Sequence, residues 1–322
     1  ALAALGLVAL CIGRVPLSPQ DVLAAIANAM GGNFAVPREV EQVLWQLRAP
    51  RIAAALLVGA ALAAAGTAYQ GMFRNPLVSP DLLGVSAGAA LGASIGLFLS
   101  QHTLAIQLAA FAGGLAAVAL VYAIGSSARH HDPVVALILA GVSVGTLLGS
   151  LISLLKVPAD PHNQLPAITF WLLGGLAGIA PRDLAFAAPL VLAGLVPLVL
   201  PRWRMNLLSL PDDEAASLGV PVARLRAVVI VAATLMTAAT VAISGVIGWI
   251  GLLIPHAARL LVGPEFSRLL PLSMLLGAAF LLAVDTLGRT VATIEIPPGV
   301  LTALIGAPFF LWLFAAGRRA WQ

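Results

Sequence analysis

The sequence has very little charge. Only 9% of its 322 residues are charged, 61% are hydrophobic, and the mean hydropathy is +1.03. A typical soluble domain has about 25% charged residues, so this chain lacks the polar surface that water requires. In a bilayer, helices satisfy their own backbone hydrogen bonds against an apolar solvent. The sequence therefore predicts an all-α, polytopic membrane protein.

Cysteine and lysine are almost absent. The single cysteine, Cys11, lies in an apolar run, which excludes an internal disulfide and a cysteine metal site. Lys156 is the only lysine, and no G-x-x-x-x-G-K-[ST] sequence occurs, so no P-loop lysine can reach a nucleotide phosphate. We expect no catalytic residue, metal ligand or cofactor in this chain, and an energy source on a partner.

Acidic residues are scarce in the apolar runs, and Asp285, near a predicted outer helix end beside Arg289, comes closest. Carriers coupled to protons or sodium usually keep acids inside the membrane, so a secondary carrier is the less favoured alternative. A membrane scaffold without transport activity is a third class. Basic residues are scattered between apolar segments rather than clustered, which argues against nucleic-acid binding despite a sequence pI near 10.2.

Nine apolar runs are candidates for crossing the membrane. They are Leu2–Ile12, Ile52–Phe73, Leu82–Leu99, Leu104–Gly125, Val134–Leu155, Ile168–Leu200 with an interruption, Ala227–Ile254, Leu269–Val284 and Val300–Phe314. One crossing needs about 20 residues, and long runs fold back, so we expect about ten crossings. Residues 243–262 are glycine-rich, and we expect Pro255 to break the helix there. The first run is short, and we expect some residues to precede it; a cleaved signal peptide is the alternative.

The basic residues suggest an orientation with the N-terminus in the cytoplasm. Ten would then lie inside: Arg74, Arg129, Arg202, Arg204, Arg224, Arg226, Arg259, Arg268, Arg318 and Arg319. Seven would lie outside: Arg14, Arg38, Arg48, Arg51, Lys156, Arg182 and Arg289. The inside excess has the expected sign but is small. The basic outer face suits an acidic partner, although chance explains it equally well.

A polar segment at residues 205–221 interrupts the apolar pattern on the predicted cytoplasmic side. Ser209 is a candidate N-cap for a short helix that begins near Pro211, and Gly219 is a candidate terminator. The first turn holds the acids Asp212, Asp213 and Glu214, which the helix dipole favours. A short amphipathic helix outside the membrane favours docking of a cytoplasmic partner over a merely solvated loop.

Six segments, in this order, resemble the FecCD-type permeases. They are Leu47–Arg51, Gln70–Gly88, Phe170–Gly175, Glu214–Gly219, Gly248–His256 and Ile296–Pro308. The resemblance runs from about Arg48 to the C-terminus. It implies a single transmembrane domain over residues 1–322 with the ten-helix fold of type II ABC importer permeases. It also implies a homodimer, two cytoplasmic ATPases that carry ATP and Mg, a periplasmic or lipoprotein binding protein, and the inner membrane of a bacterial or archaeal cell.

The same resemblance assigns roles to residues. Three outer arginines would receive acids of the binding protein: Arg48, Arg51 and Arg289. The coupling helix that contacts the ATPase would comprise Asp212, Asp213, Glu214, Ala215, Ala216, Ser217, Leu218 and Gly219. Asn75 and Leu77 match residues near a cytoplasmic gate.

The resemblance implies ATP-driven import by alternating access. We expect an iron chelate, a siderophore or haem, as the substrate, and molybdate, tungstate or cobalamin as the alternative. The segment from Asp160 to Pro166, before Phe170 and Trp171, is most similar to the branch that includes molybdate permeases. A proton-coupled carrier remains the alternative from a different class.

Overall fold

The computed structural model describes residues 2–13, 15–127 and 133–316. All regular elements in these ranges are helical, which confirms the predicted class. Four of the arginines used for the orientation argument lie outside the described residues: Arg14, Arg129, Arg318 and Arg319.

Fifteen α-helices are found in the described part of the chain. The first eight are α1 (Leu2–Cys11), α2 (Pro19–Ala29), α3 (Arg38–Gln42), α4 (Ala49–Met72), α5 (Val85–Phe98), α6 (Thr103–Ser127), α7 (Pro133–Lys156) and α8 (Gln164–Leu172). The others are α9 (Pro181–Val199), α10 (Arg202–Leu207), α11 (Asp212–Ser217), α12 (Val222–Ser244), α13 (Ile250–Val262), α14 (Phe266–Gly288) and α15 (Pro298–Ala316). A π-helical segment, Val43–Arg48, leads into α4, and a 3-10 turn, Pro80–Leu83, precedes α5.

Six helical segments are long and apolar enough to cross a membrane. They are Arg38–Met72, Thr103–Ser127, Val135–Lys156, Pro181–Val199, Val222–Ser244 and Phe266–Gly288. Four apolar helices are shorter: Leu2–Cys11, Val85–Phe98, Ile250–Val262 and Pro298–Trp312. The polytopic character is thus supported by length and composition, while the count of about ten crossings stays a prediction.

The break in the run from residue 243 to residue 262 does not lie where we expected it. Pro255 was predicted to interrupt the helix, but it lies inside α13. The chain leaves α12 at Gly245, whose φ is +66°, a conformation that glycine adopts without strain. A Cβ there would lie 2.2 Å from the backbone oxygen of Trp171, so only glycine fits.

Helix α4 lies at the centre of the bundle and packs against α12, α13 and α14. Its glycines allow these neighbours to approach closely. A Cβ on Gly59 would lie 2.2 Å from the oxygen of Gly277, and one on Gly66 would lie 1.9 Å from the oxygen of Gly251. Such contacts are typical of membrane helices, because lipid provides no hydrophobic force that holds helices together.

We expect Gly66→Ala to destabilise the protein by about 2–3 kcal/mol, because the new methyl group would overlap the α13 backbone. Gly71→Ala, on the same helix, is the matched control, since no heavy atom lies within 4 Å of its added Cβ. Thermal unfolding of the purified chain in detergent measures both. Equal melting temperatures for the two variants would contradict this packing.

Candidate functional site

The three arginines predicted to receive a binding protein lie together at one end of the bundle, here called the Arg51 end. Arg48 closes the π-helical segment, Arg51 is in the first turn of α4, and Arg289 directly follows α14. Pro50 lies between the first two and cannot donate a backbone hydrogen bond, which fits the irregular helix before it.

Arg51 is held by two carboxylates. Its Nε and Nη2 lie 2.9–3.0 Å from the oxygens of Asp285, and its Nη1 lies 3.0 Å from Glu295. The Asp285 side chain is 0% exposed, the Arg51 side chain 12% and the Glu295 side chain 30%. Two-point pairing of a guanidinium with a carboxylate is among the strongest polar contacts in proteins.

Arg48 and Arg289 hold the end of α1. Arg48 donates hydrogen bonds to the backbone oxygens of Leu10 and Val15. Arg289 donates to the oxygen of Ala9 at 2.7 Å, and its Nε lies 3.7 Å from Asp285. Burial lowers the pKa of Arg289, while the charge of Asp285 acts in the opposite direction.

These contacts show how the three arginines are used within the chain. Both Arg48 and Arg289 are buried, at 5% and 6% exposure, and Arg51 is nearly so. The cluster holds three positive and two negative side chains, so one positive charge is in excess. Sequence reasoning missed that Asp285 and Glu295 pair with Arg51. An acid four residues before an arginine, near the end of an apolar helix, was the available signal for Asp285.

The opposite end of α4, the Asp212 end, carries the predicted partner helix. Helix α11 begins after Pro211, as expected, and its last turn is followed by Gly219 with φ +79°. The predicted cap is wrong: the Ser209 hydroxyl donates to the oxygen of Asn206 instead, and no side chain caps α11. Pro211 at this position removes one backbone donor that would otherwise need a cap.

Helix α11 is tied to the bundle by one acid and one small apolar residue. Asp212 Oδ1 lies 3.4 Å from Arg74 and 3.1 Å from Arg226, and Ala215 is 1% exposed. The remaining residues of the predicted coupling helix are exposed: Asp213, Glu214, Ala216, Ser217, Leu218 and Gly219. The helix therefore presents acids and the side chain of Leu218, which is 61% exposed, to solvent.

The two predicted gate residues lie just beyond α4, at the Asp212 end. Asn75 Oδ1 accepts a hydrogen bond from the backbone nitrogen of Leu77 at 2.9 Å, which fixes the turn. The Leu77 side chain is 53% exposed. The turn thus presents an apolar side chain at the Asp212 end, and the gate stays a prediction.

The two ends lie a membrane thickness apart. Helix α4 has 24 residues, which corresponds to about 36 Å at 1.5 Å per residue. Arg51 lies in its first turn, and Arg74 follows its last turn and contacts α11. One continuous helix thus connects the arginine cluster to the exposed acidic helix.

A family model matches residues 1–316, and its description is the FecCD transport family. The chain belongs to the FecCD transport family. It is therefore an ABC importer permease, a transport protein in a membrane.

Several relatives are similar over most of their length. The cobalamin import system permease BtuC of Halobacterium salinarum is 44% identical over 89% of this chain and 77% of its own. The molybdate import system permease MolB of Haemophilus influenzae is 42% identical over 94% and 89%. The hemin transport system permease HmuU of Yersinia pestis is 39% identical over 86% and 84%.

A solved inward-facing structure, assigned to the metal-chelate type of ABC transporters, has the same fold. Its TM-score is 0.88 at 39% identity, and the match covers 98% of this chain and 96% of that one. The names of these relatives give different substrates, so similarity alone does not select one substrate for this chain.

Removal of the buried carboxylate tests the arginine cluster. We expect Asp285→Asn to destabilise the protein by about 3–5 kcal/mol, because it removes the carboxylate that lies near the buried Arg289 and one of the two carboxylates that hold Arg51. Glu295→Gln, at a partly exposed contact of the same arginine, should cost no more than about 1 kcal/mol. Melting temperatures in detergent compare the two. A smaller loss for Asp285→Asn than for Glu295→Gln would contradict the assigned role of Asp285.

Proposed function

We propose that this chain is the membrane-spanning subunit of an ATP-driven importer that works by alternating access. The observation that carries the proposal is the continuity of α4, which has the arginine cluster at its first turn and the contacts to α11 directly after its last. A rigid element with a partner site at each end can transmit movement from one side of a membrane to the other.

We assign ATPase docking to α11. Its exposed face is acidic and carries Leu218, while Asp212 and Ala215 fix the helix to the bundle. Two cytoplasmic ATPases that hold ATP and Mg would each contact one copy of this helix in a permease homodimer. This places the Asp212 end in the cytoplasm of a bacterial or archaeal cell, and the Arg51 end outside the inner membrane.

We assign binding-protein docking to the Arg51 end. The excess positive charge of the cluster supports this, since acids on a partner would neutralise it and would steer its approach. Arg51 is the least buried of the three arginines, and Glu295 beside it is partly exposed. Arg48 and Arg289 are buried and would act indirectly, because they hold α1 and Asp285 in place.

An iron chelate, a siderophore or haem, is the proposed substrate. The hemin permease of Yersinia pestis and the metal-chelate transporter structure support it. Molybdate or tungstate and cobalamin remain the alternatives, supported by the two other relatives.

Asn75 and Leu77 would form part of the cytoplasmic gate. About ten helices would cross the membrane when the four shorter apolar helices are included.

Substitution on the exposed face of α11 tests the coupling. We expect Leu218→Asp to leave the fold intact but to lower ATP-dependent uptake about tenfold or more, because a charge replaces the apolar contact with the ATPase. Uptake of radiolabelled iron chelate into liposomes that hold the permease–ATPase complex measures this. Arg202→Gln, an exposed change on the neighbouring α10, is the control. Uptake that does not require ATP would favour a proton-coupled carrier instead.

A charge-neutral pair of substitutions tests the docking. Arg51→Gln with Asp285→Asn removes both charges of the ion pair and keeps a polar side chain at each position. We expect affinity for the binding protein encoded beside this chain to fall about tenfold or more at low salt. Arg182→Gln is the control, because Arg182 is exposed at the start of α9, near the Arg51 end. Equal affinities for the two variants would remove the docking role of Arg51.

A further inference from the structure

A cavity of about 710 Å³ opens at the Asp212 end, between α4, α10, α13 and α14. It reaches Thr67, five residues before the end of α4, which is about 7.5 Å along the helix axis. Its charged lining consists of Arg74, Arg259, Arg268 and Glu265, and its polar lining includes Gln70 and Asn75. Asn75 belongs to the proposed cytoplasmic gate and Arg74 contacts α11, but no role assigned above uses Arg259.

Arg259, in the last turn of α13, lacks an acidic partner. Its Nη2 donates to Gln70 Oε1 at 3.2 Å, and this is its one hydrogen bond among the described residues. Within the same residues, no carboxylate oxygen lies within 4.0 Å of its guanidinium nitrogens. The remaining donors of the guanidinium are therefore free to bind a ligand.

Gln70 fixes the position of Arg259. Gln70 is 2% exposed, and its Nε2 donates to the backbone oxygens of Leu252 at 3.1 Å and Gly251 at 3.5 Å. With its nitrogen held in this way, the amide presents its oxygen to the guanidinium. A buried and fully oriented side chain thus holds Arg259 at the cavity wall.

The other two arginines of the cavity are compensated. Arg74 lies 3.4 Å from Asp212, and Arg268 lies 3.1 Å from Glu265. Arg259 is half-buried and carries the charge that remains. A charge next to apolar helices is costly unless an opposite charge lies near it, so an anion in this cavity is stabilised.

We propose that this cavity is a binding site for a small oxygen anion, with Arg259 as its main ligand. The guanidinium would pair with two oxygens of the anion, the geometry that arginine prefers for carboxylates and oxyanions. The volume lies within the range of small-molecule sites, about 300–1,000 Å³. The shared chemistry fits an inorganic oxyanion and the carboxylate of a small chelate. In either case the site lies at the end opposite the arginine cluster.

Equilibrium dialysis of the full chain in detergent tests the site with labelled phosphate, molybdate and citrate, in chloride buffers of constant ionic strength. We expect saturable binding of at least one of the three, with one anion per chain. Arg259→Gln should weaken it about tenfold or more, since one charge-assisted pair is lost. Arg259→Lys should restore part of the affinity, because the charge returns without the fork. Arg202→Gln, an exposed charge on α10 that does not line the cavity, should bind as the original chain does.

Three results would overturn the proposal. The first is an absence of saturable binding by the original chain. The second is equal binding by Arg259→Gln, provided that this variant elutes as a single species and melts within a few degrees of the original chain. The third is a loss of ATPase affinity in Arg259→Gln with anion binding unchanged, which would assign Arg259 to an acidic side chain of the partner. Preference for citrate over phosphate and molybdate separates the chelate from the inorganic source.

Discussion

The pairing of Asp285 with Arg51 is the interaction on which the Arg51 end of the molecule depends. Asp285 is fully buried on α14, and Arg51 lies in the first turn of α4, so their contact fixes the ends of two central helices to each other. The same carboxylate lies near Arg289, which holds the backbone of α1. A charge buried among apolar helices costs several kcal/mol when it is unpaired. The Asp285 carboxylate therefore stabilises the ends of three helices, α1, α4 and α14, through the two arginines near it.

Close glycine contacts make the rest of α4 a suitable link between the two ends. Backbone approach at Gly59 and Gly66 leaves no space for side-chain rearrangement between α4 and its neighbours. A helix packed in this way moves as a rigid unit with the elements around it. In the proposed coupling, movement of α11 would pass to α4 through the contact of Asp212 with Arg74 and along α4 to the arginine cluster.

The sequence predicts the fold class well and the chemistry of the charges less well. Long apolar runs and scarce charge are sufficient to predict an all-helical membrane protein. Pro211 and Gly219, which flank the helix, are sufficient to predict α11. The internal pairing of Arg51 was not predictable, because Glu295 is 244 positions away and no local pattern joins them. The helix ends at Gly245 and not at Pro255. The space around the backbone decides where a helix can end, and the sequence alone does not show that space.

In the proposed mechanism, α4 connects a binding-protein site at one end to an ATPase site at the other. ATP hydrolysis by the permease–ATPase complex tests this in sealed liposomes that hold the complex in one orientation, with the binding protein present either inside or outside the vesicles. We expect stimulation when the binding protein reaches the Arg51 end and none when it reaches only the Asp212 end. Stimulation from the Asp212 end, or from neither end, would contradict it.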